Sequence, residues 1–213
     1  MSKILISLFD RTGNQSRPYR ENGWEVVQID IANGQDVFDF DPAKFISDYL
    51  HEPMNYFLPD IGIIAAVPCT CYAICGNANK KKRLLNGEFA ESQKLVAKTK
   101  QIIDFFKAAG LLKFWMIENP MTDIHKKNPW IGNIRQKFNP CDFAGYDPQP
   151  DNSRYNKATW IFGEFNKMTA KRLEPFTKEY PGYLKFGGKS EKTKQARSIT
   201  PLGFAYAFYE ANH

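Results

Sequence analysis

The chain has 213 residues, 43% of them apolar, with a formal net charge of +6 and a pI near 9.0. That is enough for one α/β domain with a full core, and it excludes a disordered chain. No run approaches the ~20 apolar residues of a membrane span. Four cysteines in a chain of this length are no disulfide framework.

In chain order, Lys3 to Phe9 reads as a first strand, with no signal-peptide layout before it. A polar turn follows, Asp10 to Ser16, and then a helix that Gly23 ends. Trp24 to Ile31 is a second strand, with Asp30 near its end. A β-turn-α-β unit with an acid roughly 20 residues after the turn recurs in nucleoside sites, where the acid takes ribose hydroxyls. Asp36-Val37 precedes Asp41-Pro42, which caps a short helix to about Leu50.

Asp60 to Val67 is a short apolar strand stopped by Pro68, which delivers Cys69 at its carboxyl end. A thiol there serves as a nucleophile if something lowers its pKa or pairs with it; the alternative is a buried, inert cysteine. Cys69, Cys71, Cys75 and Cys141 make a poor metal set, because the first spacing is too tight and Cys141 has no local partner. Thiols left reduced in this way predict a reducing compartment.

After the basic run Asn79 to Arg83, a long amphipathic helix covers about Glu88 to Ala109. The strand Leu111 to Ile117 ends at Glu118-Asn119-Pro120. A carboxylate at the edge of a core is desolvated, so it holds a proton near neutrality and works as a general acid. A helix cap or salt-bridge partner is the plainer alternative.

Further on, the pattern predicts a short helix at Trp130 to Arg135 and strands at Phe138 to Phe143 and Ala158 to Phe162. The basic stretch 163–197 reads as mostly loop, and a final helix begins with Pro201 at its first position. Its lysines and arginines suit phosphates, although any single basic run is as readily a solvated surface. The alternation of elements predicts a single domain over 1–213 with a doubly wound, mostly parallel sheet.

Three motifs then stand in one order: Ser7-Leu8-Phe9-Asp10-Arg11-Thr12-Gly13-Asn14, Pro68-Cys69-Thr70 and Glu118-Asn119-Pro120. This set resembles the cytosine-5 DNA methyltransferases, whose pattern is Asp-Leu-Phe-x-Gly-x-Gly-Gly, then Pro-Cys, then Glu-Asn-x. The resemblance covers Lys3 to about Phe162, and the last helix more faintly. The Pro-Cys-Thr form is similar to members found in bacteriophages and their hosts.

It implies a Rossmann-like fold that uses S-adenosyl-L-methionine, with Phe9, Asp10, Gly13, Asp30, Asp36, Val37 and Pro68 around the cofactor. Cys69 would attack a flipped cytosine, with Glu118 and Asn119 beside it. Pro68, Thr70, Pro120, Arg154, Lys157 and Thr159 would meet the substrate, the last three replacing a missing Gln-x-Arg-x-Arg stretch. Ser7 stands where the family often has an acid, and Arg11 replaces a turn glycine. The stretch 163–197 is too short for the usual target-recognition domain, which implies low sequence specificity or a protein partner that supplies it. The implied setting is the cytoplasm of a bacterial or phage-infected cell, with DNA as partner and no membrane. Two alternatives accompany this reading: an enzyme acting on free deoxycytidine nucleotides, and a non-catalytic nucleic-acid-binding protein on a decayed methyltransferase fold.

Overall fold

The structure, a computed structural model, describes residues 2–52, 57–73, 80–176 and 198–213. Its centre is a six-stranded sheet in the order β2-β1-β3-β4-β6-β5. The strands are β1 (Lys3–Leu8), β2 (Glu25–Ile29), β3 (Asp60–Ala65), β4 (Leu112–Pro120), β5 (Gln136–Phe138) and β6 (Thr159–Glu164). β2, β1, β3 and β4 run parallel, and β6 is antiparallel to both β4 and β5. The fold is therefore α/β with a mostly parallel sheet.

The apolar strands alternate their side chains between two covered faces. Ile4, Ile6, Ile61, Ile63, Trp115 and Ile117 pack on one face with Tyr49, Val96, Ile103 and Phe106. Those last four come from α2 (Pro42–His51) and α4 (Glu88–Ala108). Leu5, Ile64, Phe114 and Met116 pack on the other face with Tyr19, Phe204 and Phe208. These belong to α1 (Arg17–Glu21) and α6 (Leu202–Ala211). Two further short helices, α3 (Lys80–Leu85) and α5 (Ile124–Lys127), stand near the carboxyl ends of β3 and β4.

Local chemistry sets the helix ends. Asp41 Oδ1 accepts from the N–H groups of Ala43 (2.8 Å) and Lys44 (3.2 Å), and Pro42 opens α2. α4 begins after Gly87, with Glu88 and Glu91 in its first turn, where the helix dipole favours acids.

Three expectations change. Trp130 to Arg135 is not a helix: a single 3-10 turn covers Pro129–Ile131, and the chain then extends into β5. The strand expected at Phe138 to Phe143 is already over at Phe138, because Pro140 starts the 3-10 segment Pro140–Tyr146. Pro201 caps α6 from outside, and the helix starts at Leu202. Of the stretch 163–197, Gly163 and Glu164 complete β6 and 165–176 has no helix or strand; the remainder lies outside the described residues.

Gly62 is central to the two-faced packing. A Cβ built on it would lie 2.3 Å from Phe114 Cζ, inside a ring fixed among Tyr19, Trp24 and Phe208. Gly62→Ala is expected to cost about 1–3 kcal/mol as overpacking, read as a lower urea midpoint with an unchanged slope. An unaltered midpoint would show that the ring has room to move.

Candidate active site

The connections reverse between β1 and β3: β2 lies on one side of β1, and β3 and β4 on the other. In open α/β sheets ligands bind outside the carboxyl ends of the strands at such a reversal. Two loops flank it, one after β1 and one after β3.

The first loop opens at Phe9, whose φ of 61° is left-handed. A bulky residue pays on the order of 1–3 kcal/mol for that conformation. Its N–H donates to the Ile29 carbonyl (2.7 Å), which ties the bend to the end of β2. Asp10 is buried, and its carboxylate accepts from Ser7 Oγ (2.9 Å), Ser16 Oγ (2.8 Å), the Ser16 N–H (3.0 Å) and the Gln15 N–H (3.4 Å). Both carboxylate oxygens are thus used in shaping the turn, so the turn and not a ligand claims Asp10. Gln28 Nε2 donates to the Asp10 carbonyl (2.6 Å), and Asn33 Nδ2 to the Arg11 carbonyl (3.1 Å). Gly13 takes φ 70°, where a Cβ would also meet Gln28 Oε1 at 3.0 Å. Arg11 is exposed.

Asp30 and Asp36 stand at the neighbouring rim. Asp30 Oδ1 accepts from the Ala32 N–H (2.8 Å), and Asp36 Oδ1 from the Phe38 N–H (3.0 Å). Among the described residues, neither Oδ2 is hydrogen-bonded. Val37 is buried behind them, while Ile31 is 76% exposed and Phe38 45%. Two acids with open oxygens beside two exposed apolar side chains suit a nucleoside, whose sugar is polar and whose base is flat. Ile31 and Phe38 escaped the sequence reading. Their signal was an apolar residue close behind each rim acid.

The second loop carries the thiol. Cys69 is half-buried between exposed Pro68 and Thr70, and it forms no disulfide. Its carbonyl accepts from the Tyr72 (2.9 Å) and Ala73 (2.8 Å) N–H groups, closing a tight turn. The loop is stitched to the chain after β4: the Asp123 N–H donates to the Tyr72 carbonyl (3.1 Å), and Ala73 pairs with Thr122. Asn119, fully buried, adds the deepest tie, with Nδ2 donating to the Val67 carbonyl (2.8 Å) and the Glu118 carbonyl (3.0 Å). Arg83 of α3 donates to the Thr70 carbonyl. Pro68 and Thr70 also line a cavity of about 420 Å³ with Glu88 and Glu91 of α4.

Cys71 and Cys141 are buried, and burial raises the Cys141 pKa. Cys75 lies outside the described residues. Among the described residues no cluster of His, Cys, Asp and Glu is placed to hold a metal.

Glu118 pairs across the sheet with Ile161. Surrounding protein desolvates its carboxyl and pushes its pKa up, and the Lys157 charge pulls it partly back. Lys157 therefore acts on Glu118 through space. Thr159 is buried, and its hydroxyl donates to the Lys157 carbonyl (2.9 Å). Pro120, opposite Thr159, ends β4. Arg154 is engaged elsewhere, since Nε donates to the Glu174 carbonyl (2.8 Å) and the guanidinium lies 3.6 Å from the Phe176 ring centre. It pins the chain after β6.

The sheet order thus brings Cys69, Glu118, Asn119 and Lys157 to one rim, with Phe9, Asp30 and Asp36 across the reversal. No protein-family model matches the chain, and no curated protein matches it. No helix among the described residues is long and apolar enough to cross a membrane.

Proposed function

We propose that this protein transfers a methyl group from S-adenosyl-L-methionine to carbon 5 of cytosine in DNA. The observation that carries the reading is the tie from Asn119 to Val67. It joins the strand end before the thiol loop to the residue next to a strand-end carboxyl whose pKa burial raises, beside the sheet's reversal.

Asp30 and Asp36 would hold the cofactor's polar groups, Ile31 and Phe38 would pack on its adenine, and Phe9 would shape the bend beside it. When bound, S-adenosyl-L-methionine supplies an electrophilic methyl group. The Cys69 thiolate adds to carbon 6 of the cytosine, breaking the carbon 5–carbon 6 double bond. Glu118 donates its proton toward ring nitrogen 3, which takes up the displaced electron density and makes carbon 5 nucleophilic. The methyl group would pass to carbon 5 as its bond to the cofactor's sulfur breaks; carbon 5 then loses its proton to solvent, ring nitrogen 3 returns its proton to Glu118, the double bond re-forms and the Cys69 thiolate leaves. Lys157 stabilises the Glu118 carboxylate once its proton has gone. The base has to leave its stack, because carbon 6 is out of reach within a duplex.

Asp30→Ala is expected to weaken S-adenosyl-L-methionine binding by roughly 1–3 kcal/mol, the cost of unpaired polar groups, as read by calorimetry. Wild-type affinity in that variant would place the cofactor elsewhere.

The overall test offers labelled S-adenosyl-L-methionine together with duplex DNA, single-stranded DNA or deoxycytidine nucleotides. Label in DNA cytosine supports the proposal. Label only in free nucleotides would transfer the chemistry to the smaller substrate. No label with any of them, despite DNA binding, would leave a binding protein without catalysis. Bisulfite sequencing after expression should find modified cytosines in many contexts, since the stretch 163–197 is too short for the usual target-recognition domain.

A further inference from the structure

One surface beside the rim has no part in the chemistry above. Trp160, the second residue of β6, is half-buried on the face that α4 covers elsewhere. Directly opposite, on β5, is exposed Lys137, with its ammonium 5.2 Å from the Trp160 ring centre. His125 of α5 meets Trp160 edge-on, with ring centres 6.1 Å apart, and stacks on Phe162 at 5.2 Å. Exposed Lys126 and Lys127 follow it. The acid at the far end of β6, Glu164, is paired with Lys107 at 2.5 Å, while Lys137, Lys126 and Lys127 stand at the near end with one acid, Asp123, at the start of α5. The patch is continuous with the site, because Thr159 and Pro120 pair at the rim one residue away.

We propose that Trp160, Lys137, His125, Lys126 and Lys127 form a platform for an unpaired DNA strand whose next bases enter the rim. The inference rests on the reading above for the position of the target base, and it names single-stranded rather than duplex DNA as the preferred substrate. Lysines alone would serve either form, since both carry phosphates. The ring decides between them. Bases in a duplex already stack on one another, whereas an unpaired base has a face to offer to a surface indole. Lys137 covers that indole with a flexible, exposed chain, so one side-chain movement exposes the ring and leaves the ammonium free to meet a phosphate. His125 holds the platform from beneath, its ring stacked on Phe162, and burial with the neighbouring Lys126 lowers its pKa against the pull of Asp123.

The test measures binding without cofactor, by fluorescence anisotropy of a labelled oligodeoxycytidine and of the matching duplex. The wild type should prefer the single strand. Trp160→Ala should weaken that binding on the order of tenfold, while Trp160→Phe, which retains a flat ring, keeps most of it. Lys137→Ala should lessen the salt dependence by about 0.7 in the log–log slope. Arg17→Ala, which removes an equal charge from the α1 face, should change neither. An oligonucleotide carrying 5-iododeoxyuridine should photo-crosslink to the peptide containing Trp160, a readout that requires no variant to fold. Equal affinity for duplex, no binding of the strand, or crosslinks confined to other peptides would each overturn the platform. Cys69→Ala run in parallel separates the two ideas. Strand binding without any methyl transfer by the wild type keeps the platform and removes the chemistry; methylation of free nucleotide without strand binding does the reverse.

Discussion

Cys69→Ala is expected to abolish methyl transfer, a loss of roughly 10⁴-fold or more, while binding S-adenosyl-L-methionine as the wild type does. The separation follows from geometry. The proposed cofactor groups Asp30 and Asp36 lie at the end of β2 and just beyond it, and the thiol sits in the loop after β3, on the other side of β1. The variant should also fold, because that loop is held by main-chain bonds from Tyr72 and Ala73 and by Asn119, none of which uses the sulfur. DNA carrying 5-fluorocytosine should trap the wild type covalently through Cys69, since fluorine cannot leave carbon 5 as a proton does. Turnover retained in Cys69→Ala, or an adduct mapped to Cys71 or Cys75, would remove the mechanism.

Glu118→Gln is expected to lower the rate by about 10²–10⁴-fold, the usual contribution of a positioned general acid. It should also alter the response to pH. Burial raises the folded-state pKa of Glu118 above that of an unfolded glutamate. Below the ordinary carboxylate range both states hold the proton, and the group leaves stability unchanged. As pH rises past that range, the unfolded chain ionises first and folding loses stability, until the raised pKa is passed and the loss is complete. The Gln variant has no proton to lose. Its melting temperature should therefore match the wild type near pH 4 and exceed it increasingly toward neutrality. In the wild type, kcat/KM should fall as pH rises through the same raised pKa. A variant equally stable at every pH would show that Glu118 is solvated, and the acid role would then pass to another group.

The sheet's apolar strands were legible because burial on both faces leaves a near-continuous apolar run, as in Ile61 to Ala65 and Phe114 to Ile117. Pro68 and Pro120 marked where two of them stop, and so placed Cys69 and Glu118 at strand ends. The helix caps at Asp41 and Gly87 follow from side-chain and backbone chemistry within a few residues. Where the reading failed, as at Phe138 to Phe143, β propensity was outweighed by a proline whose effect is equally local.

What the sequence determined by itself was the inventory: an α/β alternation, a thiol and a carboxyl each beside a strand-ending proline, and acids after the first turn. Strand order belongs to the tertiary structure, because pairing β1 with both β2 and β3 joins residues far apart in the chain. Only that order creates the reversal at which the two loops meet. The side chains that serve as ties were equally hidden. Asp10 reads as a ligand residue until Ser7 and Ser16 close on it, Arg154 reads as a substrate residue until Glu174 and Phe176 engage it, and Asn119 gains its role from a carbonyl 52 positions away. A polar side chain's function depends on which partners desolvate and satisfy it, and those partners are assembled by the fold.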